Sequence, residues 1–73
     1  MPHSEVAQLR KKILEEYEAM ERGLIGLASG TAQHAFIEAR MRRVDRYHEQ
    51  LVQYIGETEA TLTVCELYIQ AIG

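Results

Sequence analysis

The chain has 73 residues, with 8 Lys or Arg against 11 Asp or Glu and a formal net charge of −3 at pH 7. That length supports one domain near the lower limit for an independent core, and so short a chain is expected to add a metal, a disulfide or a partner subunit to its own apolar burial. The acidic balance argues against general nucleic-acid binding, and no apolar run approaches the ~18 residues of a membrane span.

Cys65 is the only cysteine, which excludes a disulfide within the chain. A single thiol, with no secretory signal in Met1-Pro-His-Ser-Glu-Val, leads to the expectation of a reducing, cytoplasmic setting. The segments are rich in Ala, Leu, Glu, Arg, Gln and Met, good helix formers, and show no alternating strand pattern. The fold class read from this is all-α, a single helical domain over residues 1–73.

The first helix is expected over about residues 5–28, with Ser4 as its N-cap. Val6, Leu9, Ile13, Tyr17, Met20, Leu24 and Leu27 recur in steps of three and four and form one apolar stripe. Leu14 and Ile25 lie off that stripe, so this helix is expected to touch more than one neighbour. The stretch LASGTAQ, residues 27–33, carries a turn signal centred on 28–32. Gly30 suits the left-handed end of one helix, and Ser29 or Thr31 suits the cap of the next.

A second helix is expected over about residues 32–55. Its apolar positions start at Ile37 and run on through Met41, Val44, His48, Leu51, Ile55, Thr58, Leu62, Cys65, Ile69 and Ile72. As a heptad, Met41, His48, Ile55, Leu62 and Ile69 occupy a and the others occupy d, a coiled-coil-like period. Tyr47, Tyr54 and Tyr68 stand beside this seam at g.

The seam keeps its phase through Gly56. That permits one helix from about 32 to 72, roughly 60 Å long at 1.5 Å per residue. Gly56-Glu57-Thr58 has weak local helix preference, so a kink or break there is favoured, with a helix or continuation over about 58–72 starting at Thr58. Either way the expected architecture is an antiparallel hairpin whose second arm is kinked or broken near Gly56.

With the turn near Gly30, Glu15, Glu16, Glu18 and Glu21 run beside Arg46, Arg43, Arg42 and Arg40. Arg22 falls near Glu38, and Lys11 and Lys12 near Glu49. A continuous second arm overruns the first and leaves Leu62, Cys65, Ile69 and Ile72 uncovered. Two structures bury that stripe. One is a three-helix bundle; the other, which the Tyr row and off-stripe residues favour, is a homodimeric helical bundle. The expected interface is Ile55, Leu62, Cys65, Ile69, Ile72, Tyr47, Tyr54 and Tyr68. The function expected from it is protein–protein interaction, scaffolding or regulation, without catalysis, with a second copy of the chain or another protein as partner.

Two other constellations carry chemistry. Arg40, Arg42, Arg43 and Arg46 form a basic cluster able to grip phosphates, set against the bland reading of a solvated, salt-bridged helix face. In length and inferred hairpin architecture, though in no motif, the chain resembles the plasmid-copy-control Rop proteins. That resemblance implies an RNA- or DNA-binding hairpin as an alternative. Asp45-x-x-His48 puts a carboxylate and an imidazole on one side of a helix, with Glu15 or Glu16 opposite. Four-helix carboxylate sites use Glu-x-x-His in this way, and the set resembles a minimal encapsulated-ferritin-like di-iron site. The bland reading of His48 is a polar a-position residue that sets register, and no metal or other cofactor is expected. His34 and His3 are read as surface and frayed-terminus residues, and Cys65 as a small hydrophobe. No Gly-rich phosphate loop, serine elbow or zinc-spaced cysteine pair is present.

Overall fold

A computed structural model describes residues 2–26 and 30–73, without the side chains of Pro2, His3 and Ile25. Leu27, residue 28 and Ser29 of the 28–32 turn, and the side chains of His3 and Ile25 therefore lie outside the described residues. Three helices follow one another: α1 (Pro2–Gly26), α2 (Thr31–Ile55) and α3 (Glu57–Ala71). No described helix is long and apolar enough to cross a membrane.

Neither Ser4 nor Thr31 is an N-cap. Ser4 lies inside α1, and Thr31 and Glu57 are the first helical residues of α2 and α3. Both of those helices start from a glycine, Gly30 (φ 105°) and Gly56 (φ 84°), with no side-chain cap bond. Only glycine takes such positive φ at little cost. Gly30 has a positive φ, but with ψ −149° and at the head of α2, so it is not the left-handed helix end expected of it.

α1 and α2 run antiparallel. Lys12 Nζ sits 5.8 Å from the centre of the Tyr47 ring, and Gln33 Nε2 donates to the Leu24 carbonyl at 3.2 Å. Near the turn the helices approach closely, because Gly23 leaves room for the Phe36 ring. A Cβ at Gly23 would overlap the Phe36 ring.

The decisive departure from a two-helix hairpin is at Gly56. Its backbone (φ 84°, ψ 166°) is in a region open essentially to glycine alone, and it is the only residue between α2 and α3. Its N–H donates to the Val52 carbonyl at 2.9 Å, ending α2. Its own carbonyl accepts from Ala60 N–H at 3.0 Å, starting α3. α3 then turns back along α2 and lies against α1 as well. His48 meets Thr61, and the Tyr17 and Tyr68 rings pack edge to face with centroids 5.3 Å apart.

The core joins all three helices: Leu9, Ile13, Tyr17 and Met20 from α1, Val44 and Leu51 from α2, Ala60 and Leu67 from α3. Leu14 packs at its edge, in line with a helix that touches two neighbours. The hairpin thus has no overhanging arm. The reversal also changes the phase of the seam. Beyond Gly56 the inward residues are Ala60, Thr63 and Leu67, while Leu62, Cys65 and Ile69 face outward. Steps of three and four connect both sets, so α3 carries an apolar stripe on each side.

α3 spans 15 residues against 25 for α1 and α2, about 22 Å against about 37 Å. It stops short of the hairpin turn, and for that reason Leu24, expected in the core stripe, is exposed. Truncating each α3 stripe separates the two phases. Leu67→Ala should cost about 2–5 kcal/mol. Ile69→Ala should stay within about 0.5 kcal/mol. Urea denaturation of both variants reads the difference, and the reverse order would restore the continuous seam.

Candidate functional site: the outward face of α3 and the polar clusters of the hairpin

Four aligned positions of α3, Thr58, Leu62, Cys65 and Ile69, make its outward face. Leu62 is 55% and Ile69 67% exposed, large values for apolar side chains in a finished fold. Cys65 between them is also exposed. Tyr68 borders the stripe, half exposed, with one side of its ring held against Tyr17. Of the other residues expected at an interface, Tyr54 is exposed on α2, while Tyr47, Ile55 and Ile72 are half-buried against the core. Leu62, Cys65, Tyr68 and Ile69 thus form one surface, and the α2 residues do not join it as a continuous seam.

The arginine cluster is largely occupied by the hairpin's own acids. Arg40 pairs with Glu16 at 3.0 Å, and Arg43 reaches the other oxygen of the same carboxylate at 3.6 Å. Arg40 also stacks on Phe36, 5.0 Å from the ring centre. The Glu16–Arg43 pair is in the register expected from the turn. Arg40, by contrast, meets Glu16 and not Glu21, more than one helical turn away. Glu16 is buried among these helices and satisfies two cations at once. Arg42 pairs within its own helix with Glu38 at 3.5 Å, not with Glu18, and Arg46 is in no ion pair among the described residues. Lys12 lies over Tyr47 and not against Glu49. With Glu16 holding two of its four cations, the cluster presents a weaker field to phosphates than its composition suggests.

The residues considered for a metal are not gathered into a site. No three His, Cys, Asp or Glu side chains converge among the described residues. Glu16 is engaged by the arginines, whereas Glu15 and Asp45 are exposed. His48 is half-buried, with Nε2 3.4 Å from the Thr61 hydroxyl oxygen, so it links α2 to α3. A polar residue at a has here become a contact between consecutive helices.

Near the hairpin turn, Leu24, Ile37 and Met41 line an open groove of about 910 Å³, with His34 and Glu38 at its rim.

Sequence reasoning placed Tyr17 on the α1 stripe but gave it no role where the three helices meet. Burial pushes its hydroxyl pKa up, and nearby Cys65, Asp45 and Tyr68 add in the same direction. Its place on the α1 stripe marked it as core, but its neighbours from α2 and α3 are set by the fold-back at Gly56.

Two predictions follow from these clusters. Glu16→Gln should lower stability by about 1–3 kcal/mol, because two arginines lose their charge-assisted partner. Glu15→Gln should change it by less than about 0.5 kcal/mol; equal effects in denaturant titration would mean the exposed and buried carboxylates are equivalent. For Tyr17, the folded pKa lies above the unfolded value, so the unfolded chain releases the proton first as pH rises. The contribution is fully present below pH ~10 and is lost as pH rises through the folded pKa. Tyr17→Phe should flatten that part of the alkaline stability profile, and an unchanged profile would remove Tyr17 as its source. Comparison with known protein families, characterised proteins and solved structures finds no match to this chain.

Proposed function

We propose that the protein is a small helical interaction module, with a binding and not a catalytic role, whose contact surface is the outward face of α3. The observation that supports this is the apolar stripe Leu62–Cys65–Ile69. It stays in solvent after the chain has built its core from the opposite side of the same helix. An aligned apolar row at helical spacing suits a helix laid alongside it, with every third or fourth side chain as an anchor. A folded domain gains no stability from keeping such a row in water, so a contact is its natural use.

Self-association into a homodimeric bundle is the second reading. It is favoured by the near-symmetric placing of Leu62 and Ile69 about Cys65, which lets two copies of α3 pair about a two-fold axis.

Replacing both anchors tests the proposal. Leu62→Asp together with Ile69→Asp should leave the circular dichroism spectrum unchanged and stability within about 1 kcal/mol, since both sites are exposed. The same variant should lose a partner that the unmodified protein retains from extract and that mass spectrometry identifies. Retention of that partner by a correctly folded double variant would place the contact elsewhere on the bundle.

A further inference from the structure

The charges that α3 itself carries are all of one sign. Every Lys and Arg of the chain lies between Arg10 and Arg46, and none follows. α3 itself carries Glu57, Glu59 and Glu66 and no cation. Glu59 and Glu66 are both exposed, and neither is in an ion pair among the described residues. They stand seven residues apart, so they share one edge of the outward face. In heptad terms, with Leu62 and Ile69 at a and Cys65 at d, both occupy e. The opposite edge, at g, carries the uncharged Thr61 and Tyr68.

Partner choice in helix pairing is set mainly at these edge positions. When two such helices pair antiparallel, e faces e, so two copies of α3 would bring their glutamates together. When they pair parallel, e faces g, and a second copy offers only Thr61 and Tyr68. Neither arrangement supplies a cation, and the first is repulsive. The negative edge is equally unsuited to phosphate-bearing surfaces.

We infer that the partner of this face is an amphipathic helix of another protein, with an apolar stripe edged by lysine or arginine opposite Glu59 and Glu66. The inference rests on the interaction-module reading and narrows it. The stripe supplies burial, while the acidic edge selects the partner by charge. Cations spaced seven residues apart, about 10.5 Å along a helix, meet both glutamates at once.

Two synthetic helical peptides of the length of α3 test this on the intact protein by fluorescence anisotropy. Both carry leucine at a and d; one has lysine and the other glutamate at the edge positions. The lysine peptide should bind about tenfold more tightly or better, with a preference that shrinks as salt rises. Glu59→Lys with Glu66→Lys should reverse the preference, and Leu62→Asp with Ile69→Asp should abolish binding of either peptide. Equal affinity for the two peptides would overturn the charge assignment and leave the docking face intact. Undiminished lysine-peptide binding by the Leu62/Ile69 double variant would overturn it as well, by placing the peptide on another surface. If neither peptide binds, sedimentation equilibrium separates two further outcomes. A dimer disrupted by the Leu62/Ile69 substitutions would give the face to a second copy and overturn the heterotypic partner. A monomer would overturn the interaction-module reading itself.

Discussion

The structure turns on the backbone of Gly56. A single residue reverses the chain between two helices, and it does so at φ 84° and ψ 166°, where a side chain would be strained. Had this position been helical, α2 and α3 would form one rod with its apolar seam in line from Ile37 to Ile72. Because it is not, α3 folds into the groove between α1 and α2 and presents Ala60, Thr63 and Leu67 to the core. A short chain thereby closes a core from three helices instead of leaving the last part of its second arm overhanging the first. The cost is borne at the surface, where Leu62 and Ile69 remain exposed.

Within that frame the polar contacts act as alignment devices. Glu16 draws Arg40 and Arg43 onto one carboxylate and fixes how α1 lies along α2, with Phe36 under Arg40 and Gly23 opening space for the ring. His48 and Thr61 do the same, more weakly, between α2 and α3. Tyr17 joins the helices through an aromatic edge contact with Tyr68. Arginines that in sequence look like a phosphate grip are in large part the means by which a buried acid is tolerated. Such pairs select a register more than they add net stability.

Much of this was legible beforehand, and the parts that were not share a cause. The helical class, the turn near Gly30, the α1 stripe and the antiparallel hairpin followed from period, composition and glycine placement. A break at Gly56 was the favoured alternative, and it is what forms. What period alone does not settle is which side of α3 faces inward, because Leu62–Cys65–Ile69 and Ala60–Thr63–Leu67 both recur at helical spacing. The larger residues lie in phase with α2 and so pointed to a continued seam. The set that is buried, Ala60, Thr63 and Leu67, is the one the fold-back at Gly56 turns toward α1 and α2. The electrostatic register was correct for Glu16 with Arg43. It failed for Arg40 because a long guanidinium side chain reaches across a helical turn toward an already buried carboxylate. Asp45 and His48 are three residues apart on α2, but no group of three metal-ligating side chains forms around them among the described residues.

The account depends most on which face of α3 is in water, and the lone thiol reports on that directly. Cys65 lies in the middle of the outward stripe. Its rate of modification by a small disulfide reagent, measured in native protein and in denaturant over a wide range of protein concentration, is the decisive measurement. The closed three-helix chain predicts modification in the native state within a few fold of the denatured rate, independent of protein concentration. Strong native protection would contradict it: if concentration-dependent, a second copy covers the stripe, and if concentration-independent, α3 is turned the other way around.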